Sequence, residues 1–137
     1  MPSSSKNLPH GTKYHYCSPH SDLLGWIIER ICGEKYYNIL SELLFLPAGL
    51  KDDANVTLDK WGASRSAGGI SISPYDLLTL SELVRCYGSN GKNQIIPESW
   101  IDDFINFKDN KCYLNQEKLD RFPNGNYRSK WYQTGFK

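Results

Sequence analysis

With 137 residues, 39% of them hydrophobic and 23% charged, the chain can bury one core, and a single domain is the default expectation. A formal net charge of +1 gives no electrostatic reason to expect nucleic acid or an anionic membrane as a partner. No apolar run approaches the roughly 18 residues of a membrane-spanning helix, and Cys17, Cys32, Cys86 and Cys112 are too widely spaced for a Cys-x-x-Cys metal site or a dense disulfide framework.

Residues 1–10 read as a polar lead-in without the apolar centre of a signal peptide, which leaves localisation unread. Apolar residues at 23, 24, 27, 28 and 31, with Ser18-Pro19 and Ser21 as possible caps and Gly33 as a stop, predict an amphipathic helix over 20–32. Tyr36, Ile39, Leu40, Leu43 and Leu44 predict a second helix over 35–45, ended by Pro47 and Gly49. Between Lys51 and Gly69 small and polar residues predict an ordered loop with at most short strands. Ser73-Pro74-Tyr75-Asp76 is a capping box with proline in the first turn, opening a helix to Tyr87 whose apolar face is Leu77, Leu80, Leu83 and Val84. Pro97-Glu98-Ser99-Trp100 starts a fourth helix that buries Trp100, Ile101, Phe104 and Ile105. Beyond Phe107 only 127–132 alternates like a strand, and a lone terminal strand would have nothing to pair with. Cys32 and Cys86 fall on predicted helices and are expected as buried apolar thiols.

The landmarks in series are Gly11-Thr12, Tyr14-x-Tyr16-x-Ser18, Asp22-x-Leu24-Gly25-Trp26-x-x-Glu29-Arg30-x-x-Gly33, Pro47-x-Gly49, Asp53-Ala54, Asp59-x-x-Gly62, Gly68-Gly69-x-x-x-Ser73-x-x-Asp76-Leu77 and Pro97-x-x-Trp100. None is specific alone; their order and spacing are, because each is a separate turn, cap or core position. In that order the chain resembles the C-terminal part of the serine β-lactamase and penicillin-binding-protein superfamily, in the branch of 6-aminohexanoate-dimer hydrolases and related esterases. The resemblance implies a mainly α chain, part of the β-lactamase/transpeptidase-like fold in which a helical domain joins an α/β domain, with an isolated strand near 127–132. It implies one partial domain over 1–137 and no cofactor or metal.

The family attacks an amide or ester carbonyl with the serine of Ser-x-x-Lys, shares proton transfer between that lysine and the tyrosine of Tyr-x-Asn or Tyr-x-Ser, and lines the oxyanion side with a Lys-Thr-Gly-like strand. By resemblance Tyr16 is the catalytic acid and base, and Ser18 stands in the asparagine position. A phenol of pKa near 10 serves as a base near neutrality only beside a stabilising cation, so Tyr16 needs a lysine. Two Ser-x-x-Lys matches occur, Ser3 with Lys6 in the polar lead-in and Ser89 with Lys92 in a Gly- and Asn-rich turn; neither offers the rigid position a nucleophile needs. Gln133-Thr134-Gly135 imitates Lys-Thr-Gly without matching its place.

Other candidates have bland readings. His10, His15 and His20 share no helical or strand face for a metal. Cys17 lacks an orienting partner. Asp52-Asp53 has nothing apolar around it to separate two pKa values, and Gly68-Gly69 lacks the lysine of a phosphate loop and instead suits close backbone approach near an active-site rim. Two expectations follow. One is a fragment of a serine hydrolase that cleaves a small-molecule amide or ester through an acyl-enzyme and is inactive alone. The other is a non-catalytic helical remnant or binding module. An apolar surface on the helices at 20–32 and 73–87 is expected to promote self-association or pairing with a missing N-terminal half.

Overall fold

The computed structural model describes residues 9, 11–114, 122 and 124–135. Its chain divides into two compact units, Cys17–Glu98 and a smaller one made of Met1–Tyr16 with Ser99–Lys137. Most of the regular structure is helical.

The larger unit opens with α1, Ser18–Cys32. It starts two residues before the predicted boundary because Pro19 suits the first turn, where its missing N–H is no loss. Cys17 takes the N-cap position without a side-chain bond, so Ser18 lies inside the helix rather than capping it. Gly33 ends α1 at φ 72°, and its N–H donates to the Glu29 carbonyl at 2.8 Å. Cys32 is exposed and Cys86 only half-buried, contrary to the expectation of buried thiols.

The second helical stretch continues further than the sequence predicts. α2, Tyr36–Leu40, passes through a π turn at Ser41–Phe45 into α3, Leu46–Ala48, and stops at Gly49. Of the two expected stops, Gly49 ends the stretch and Pro47 lies within it. A proline ring collides with the carbonyl four residues back, here that of Leu43; widening the preceding turn, with the Leu46 N–H bonded to the Ser41 carbonyl, accommodates the ring.

The loop over 51–69 carries the short strand expected of it. β1, Asn55–Val56, pairs antiparallel with β2, Ile70–Ser71, just beyond it. Close approach explains Gly69: a Cβ there would stand 2.8 Å from the Arg65 carbonyl oxygen. α4 covers Pro74–Arg85, and Ser73 Oγ accepts the Asp76 N–H at 3.1 Å as the capping box requires. The reciprocal half is absent, because the Asp76 carboxylate accepts the backbone N–H groups of Lys51 and Asp52 instead, both at 3.0 Å. Ile39, Ala48 and Leu83 are buried, while Leu77, expected on the inner face of α4, is exposed.

α5, Glu98–Asn106, belongs to the smaller unit from Ser99 on; it buries Ile101 and Phe104 but leaves Trp100 and Ile105 partly exposed. α6, Lys111–Leu114, is a single turn that the sequence pattern does not reveal. The C-terminal strand is not isolated: β3, Asn126–Arg128, pairs antiparallel with β4, Trp131–Gln133. Ser129 and Lys130 turn the chain at φ 50° and 71°, a primed hairpin turn without the usual Gly or Asn. The hairpin packs an aromatic core. Tyr14 lies 4.8 Å from Tyr127 and 5.4 Å from Tyr113, and Trp131 stacks on Phe104 at 4.9 Å.

Candidate functional site

The segment before α1 holds one half-buried, hydrogen-bonded tyrosine, Tyr14, and one exposed tyrosine, Tyr16. Tyr14 faces inward: its N–H donates to the Cys112 carbonyl at 2.8 Å, and its hydroxyl shares a 2.8 Å hydrogen bond with that of Tyr132. Burial above all, then that hydrogen bond, raises the Tyr14 pKa far above the ordinary phenol. Tyr16 is 58% exposed, and its hydroxyl makes no hydrogen bond to another described residue. It does lie near Tyr127, whose phenol is raised by burial first, then by Tyr132 and Tyr16.

Ser18 is half-buried in the first turn of α1, and its hydroxyl likewise has no described hydrogen-bond partner. Among the described residues, therefore, neither hydroxyl has a hydrogen-bond partner. Tyr16 belongs to the smaller unit, and Cys17 and Ser18 belong to the larger one. Cys17 between them is half-buried.

The other sequence candidates fall elsewhere. Ser3, Lys6 and His10 lie outside the described residues. Ser89 sits in a turn, where its hydroxyl accepts the Gly91 N–H at 3.1 Å; Lys92 is exposed, and its N–H donates to Asn90 Oδ1 at 2.9 Å. His15, His20, Asp52 and Asp53 are exposed, and no three metal-ligating side chains converge among the described residues. Gln133 works structurally, donating its amide to the carbonyls of Phe104 and, at 2.8 Å, Ile105 at the end of α5.

Sequence reasoning missed one surface feature, an open groove of about 870 Å³ on the larger unit, along Tyr75, Leu78, Thr79 and Glu82 of α4, Cys86 just beyond it and the Ser89 turn. The Arg85 guanidinium, hydrogen-bonded to Glu82 at 2.6 Å, holds the Glu82 carboxyl at about 2, and the Cys86 thiol reaches the same carboxylate at 3.4 Å. The spacing 75, 78, 79, 82 and 86 was visible as one helical face, but nothing in it told groove from ordinary solvated surface.

No family model matches the chain. Over 123 residues, 90% of its length, it is 27% identical to 6-aminohexanoate-dimer hydrolase of Paenarthrobacter ureafaciens, of which the match covers 31%. A solved structure from Bacillus anthracis, provisionally named a 6-aminohexanoate-dimer hydrolase, superposes with a TM-score of 0.78 at 20% identity, over 93% of this chain and 32% of that one. The chain thus spans about a third of the length of these relatives. Sequence and fold point the same way: over most of its length the chain is similar to part of the 6-aminohexanoate-dimer hydrolases.

Proposed function

We propose that this chain supplies the tyrosine corner of a serine hydrolase that cleaves a small-molecule amide or ester through an acyl-enzyme. The observation that supports the reading is an exposed Tyr16, whose hydroxyl has no hydrogen-bond partner among the described residues, in a chain similar over 90% of its length to a 6-aminohexanoate-dimer hydrolase. In that role the Tyr16 phenolate takes the proton of an attacking serine as the serine oxygen bonds to the substrate carbonyl. The phenol then returns the proton to the departing amine or alcohol, and repeats the cycle with water to release the acid. Ser18 holds the cation that keeps Tyr16 ionised, or the substrate beside it. The attacking serine and its lysine belong to the part of the fold outside the matched third, so the chain by itself does not turn over substrate.

The test is incubation of the pure chain with p-nitrophenyl acetate and a fluorophosphonate probe, read by absorbance and by mass spectrometry. Background hydrolysis and no stoichiometric adduct are expected. An adduct on Ser3 or Ser89 would overturn this assignment, because it would place the nucleophile within these 137 residues.

A further inference from the structure

The landmark Asp59-x-x-Gly62 supplies the bonding of one turn and leaves its two middle side chains free. Asp59 Oδ1 accepts the N–H groups of Trp61 and Ala63 at 2.8 and 2.9 Å, the Gly62 N–H donates to the Asp59 carbonyl at 3.0 Å, and Gly62 takes φ 79°. Leu58 bridges to Ser64 just outside, which closes the segment as a tight hairpin. At its tip Trp61 is 77% exposed, and the Lys60 ammonium stands 4.1 Å from the centre of its ring. Lys60 makes no ion pair with another described residue. A single exposed apolar residue is ordinary on a protein surface. An exposed indole beside an unpaired cation, on a turn already held by hydrogen bonds, is different, because the backbone order that binding requires is in place. The root of the hairpin gives the pair its setting. Ser66 Oγ donates to the Ser21 carbonyl at 2.7 Å and the Ala67 N–H to Asp22 Oδ1 at 2.8 Å, so the hairpin is rooted at the end of α1 that carries Ser18.

We infer that Lys60 and Trp61 form a recognition site for the far end of the substrate, and that the substrate is an amide or ester whose alkyl chain ends in a carboxylate. The inference rests on the hydrolase reading above. The indole offers an apolar surface to the methylenes, and the ammonium beside it supplies the charge that a carboxylate requires. A chain ending in a neutral group would meet the indole but leave Lys60 unpaired, and one ending in an amine would be repelled by it.

The experiment titrates the full 137-residue chain with monomethyl adipate, an ester on a short alkyl chain that ends in a carboxylate, and with dimethyl adipate, which lacks the charge. The Trp61 indole N–H is followed by NMR and assigned by its disappearance in Trp61→Phe. The monoester is expected to move that signal saturably and to bind about two- to fivefold more tightly than the diester, the range for an exposed ion pair. Lys60→Gln should remove that preference, and sodium chloride should weaken it. Trp61→Ala should abolish saturation transfer to the methylenes of the monoester while the amide signals of α4 stay in place. A Trp61 signal that stays fixed at millimolar monoester would overturn the inference, and so would equal affinity for the two esters. The hydrolase reading fails by a different result: an adduct on Ser3 or Ser89 removes it whatever Trp61 does, whereas a fixed Trp61 signal without an adduct removes only the recognition site.

Discussion

Asp76 Oδ1 accepts the Lys51 N–H at 3.0 Å, tying the first turn of α4 to chain 25 residues earlier, while its second oxygen accepts the Asp52 N–H at the same distance. The carboxylate is 3% exposed, so it serves as a buried anchor for a polar loop. Asp76→Ala would leave two backbone donors unpaired and should lower stability by about 2 to 4 kcal/mol. Asp76→Asn keeps one acceptor and should lose about half as much. Urea denaturation of the three proteins checks both, and equal stability of Asp76→Ala and the parent would contradict the anchor.

Gly25 of α1 packs against Ser66 in the loop before β2. A Cβ there would stand 2.4 Å from Ser66 Oγ and 2.8 Å from Ser66 Cβ. Alanine is the better helix former by about 1 kcal/mol, but the overlap should win and make Gly25→Ala destabilising by about 1 to 3 kcal/mol. Because the second overlap is with Cβ, Ser66→Ala should not relieve it, whereas Ser66→Gly should. A double-mutant cycle on thermal unfolding would show favourable coupling for Gly25→Ala with Ser66→Gly and little with Ser66→Ala.

These two residues show where sequence reading succeeded and where it stopped. The period of Leu23, Leu24, Ile27, Ile28 and Ile31 was enough to find α1, yet periodicity reports that a helix has an apolar side, not which side meets its own chain. Ser66 and Ala67 decide that, from more than 40 residues away. Ser73 was legible as a cap because capping is local, but the Asp76 carboxylate went to Lys51 and Asp52 through a contact that no local pattern encodes. Pro47 looked like a terminator because the π turn that accommodates it has no residue signature. The β3–β4 turn was missed because Ser129 and Lys130 adopt positive φ without glycine or asparagine. At the candidate site the sequence identified Tyr16 and Ser18 only through family order; that neighbouring Tyr14 is committed and Tyr16 is not depends on the hairpin, which the sequence did not reveal.

Arg128 grips Asp103 with two hydrogen bonds, at 2.7 and 2.9 Å, joining β3 to α5. That pairing holds the Asp103 carboxyl below the usual carboxylate range. A carboxyl lowered by folding stabilises above its ordinary pKa and loses that contribution as pH falls through the folded value. The pair is open to solvent, so its effect should be small and screened by salt. Asp103→Asn should flatten the acid limb of the stability profile slightly in dilute buffer. In concentrated sodium chloride the variant and parent should coincide.

Tyr14 acts on the opposite limb. Burial raises the Tyr14 phenol most, and the shared hydrogen bond adds to it. A group whose folded pKa is raised contributes its full stability below the unfolded value, about 10 for tyrosine. It loses that contribution as pH climbs from there toward the folded value, because the unfolded chain releases the proton first. The smaller unit should therefore hold its stability up to about pH 10 and then weaken steeply, with phenolate absorbance from Tyr14 appearing only as the aromatic core opens. Tyr14→Phe removes the ionisable group and one hydrogen bond. It should cost about 0.5 to 1.5 kcal/mol at neutral pH and make the alkaline decline shallower by one proton. Far-ultraviolet dichroism and phenolate absorbance followed together through an alkaline titration measure both effects. Ionisation of Tyr14 well before any loss of structure would show that the core does not shield it.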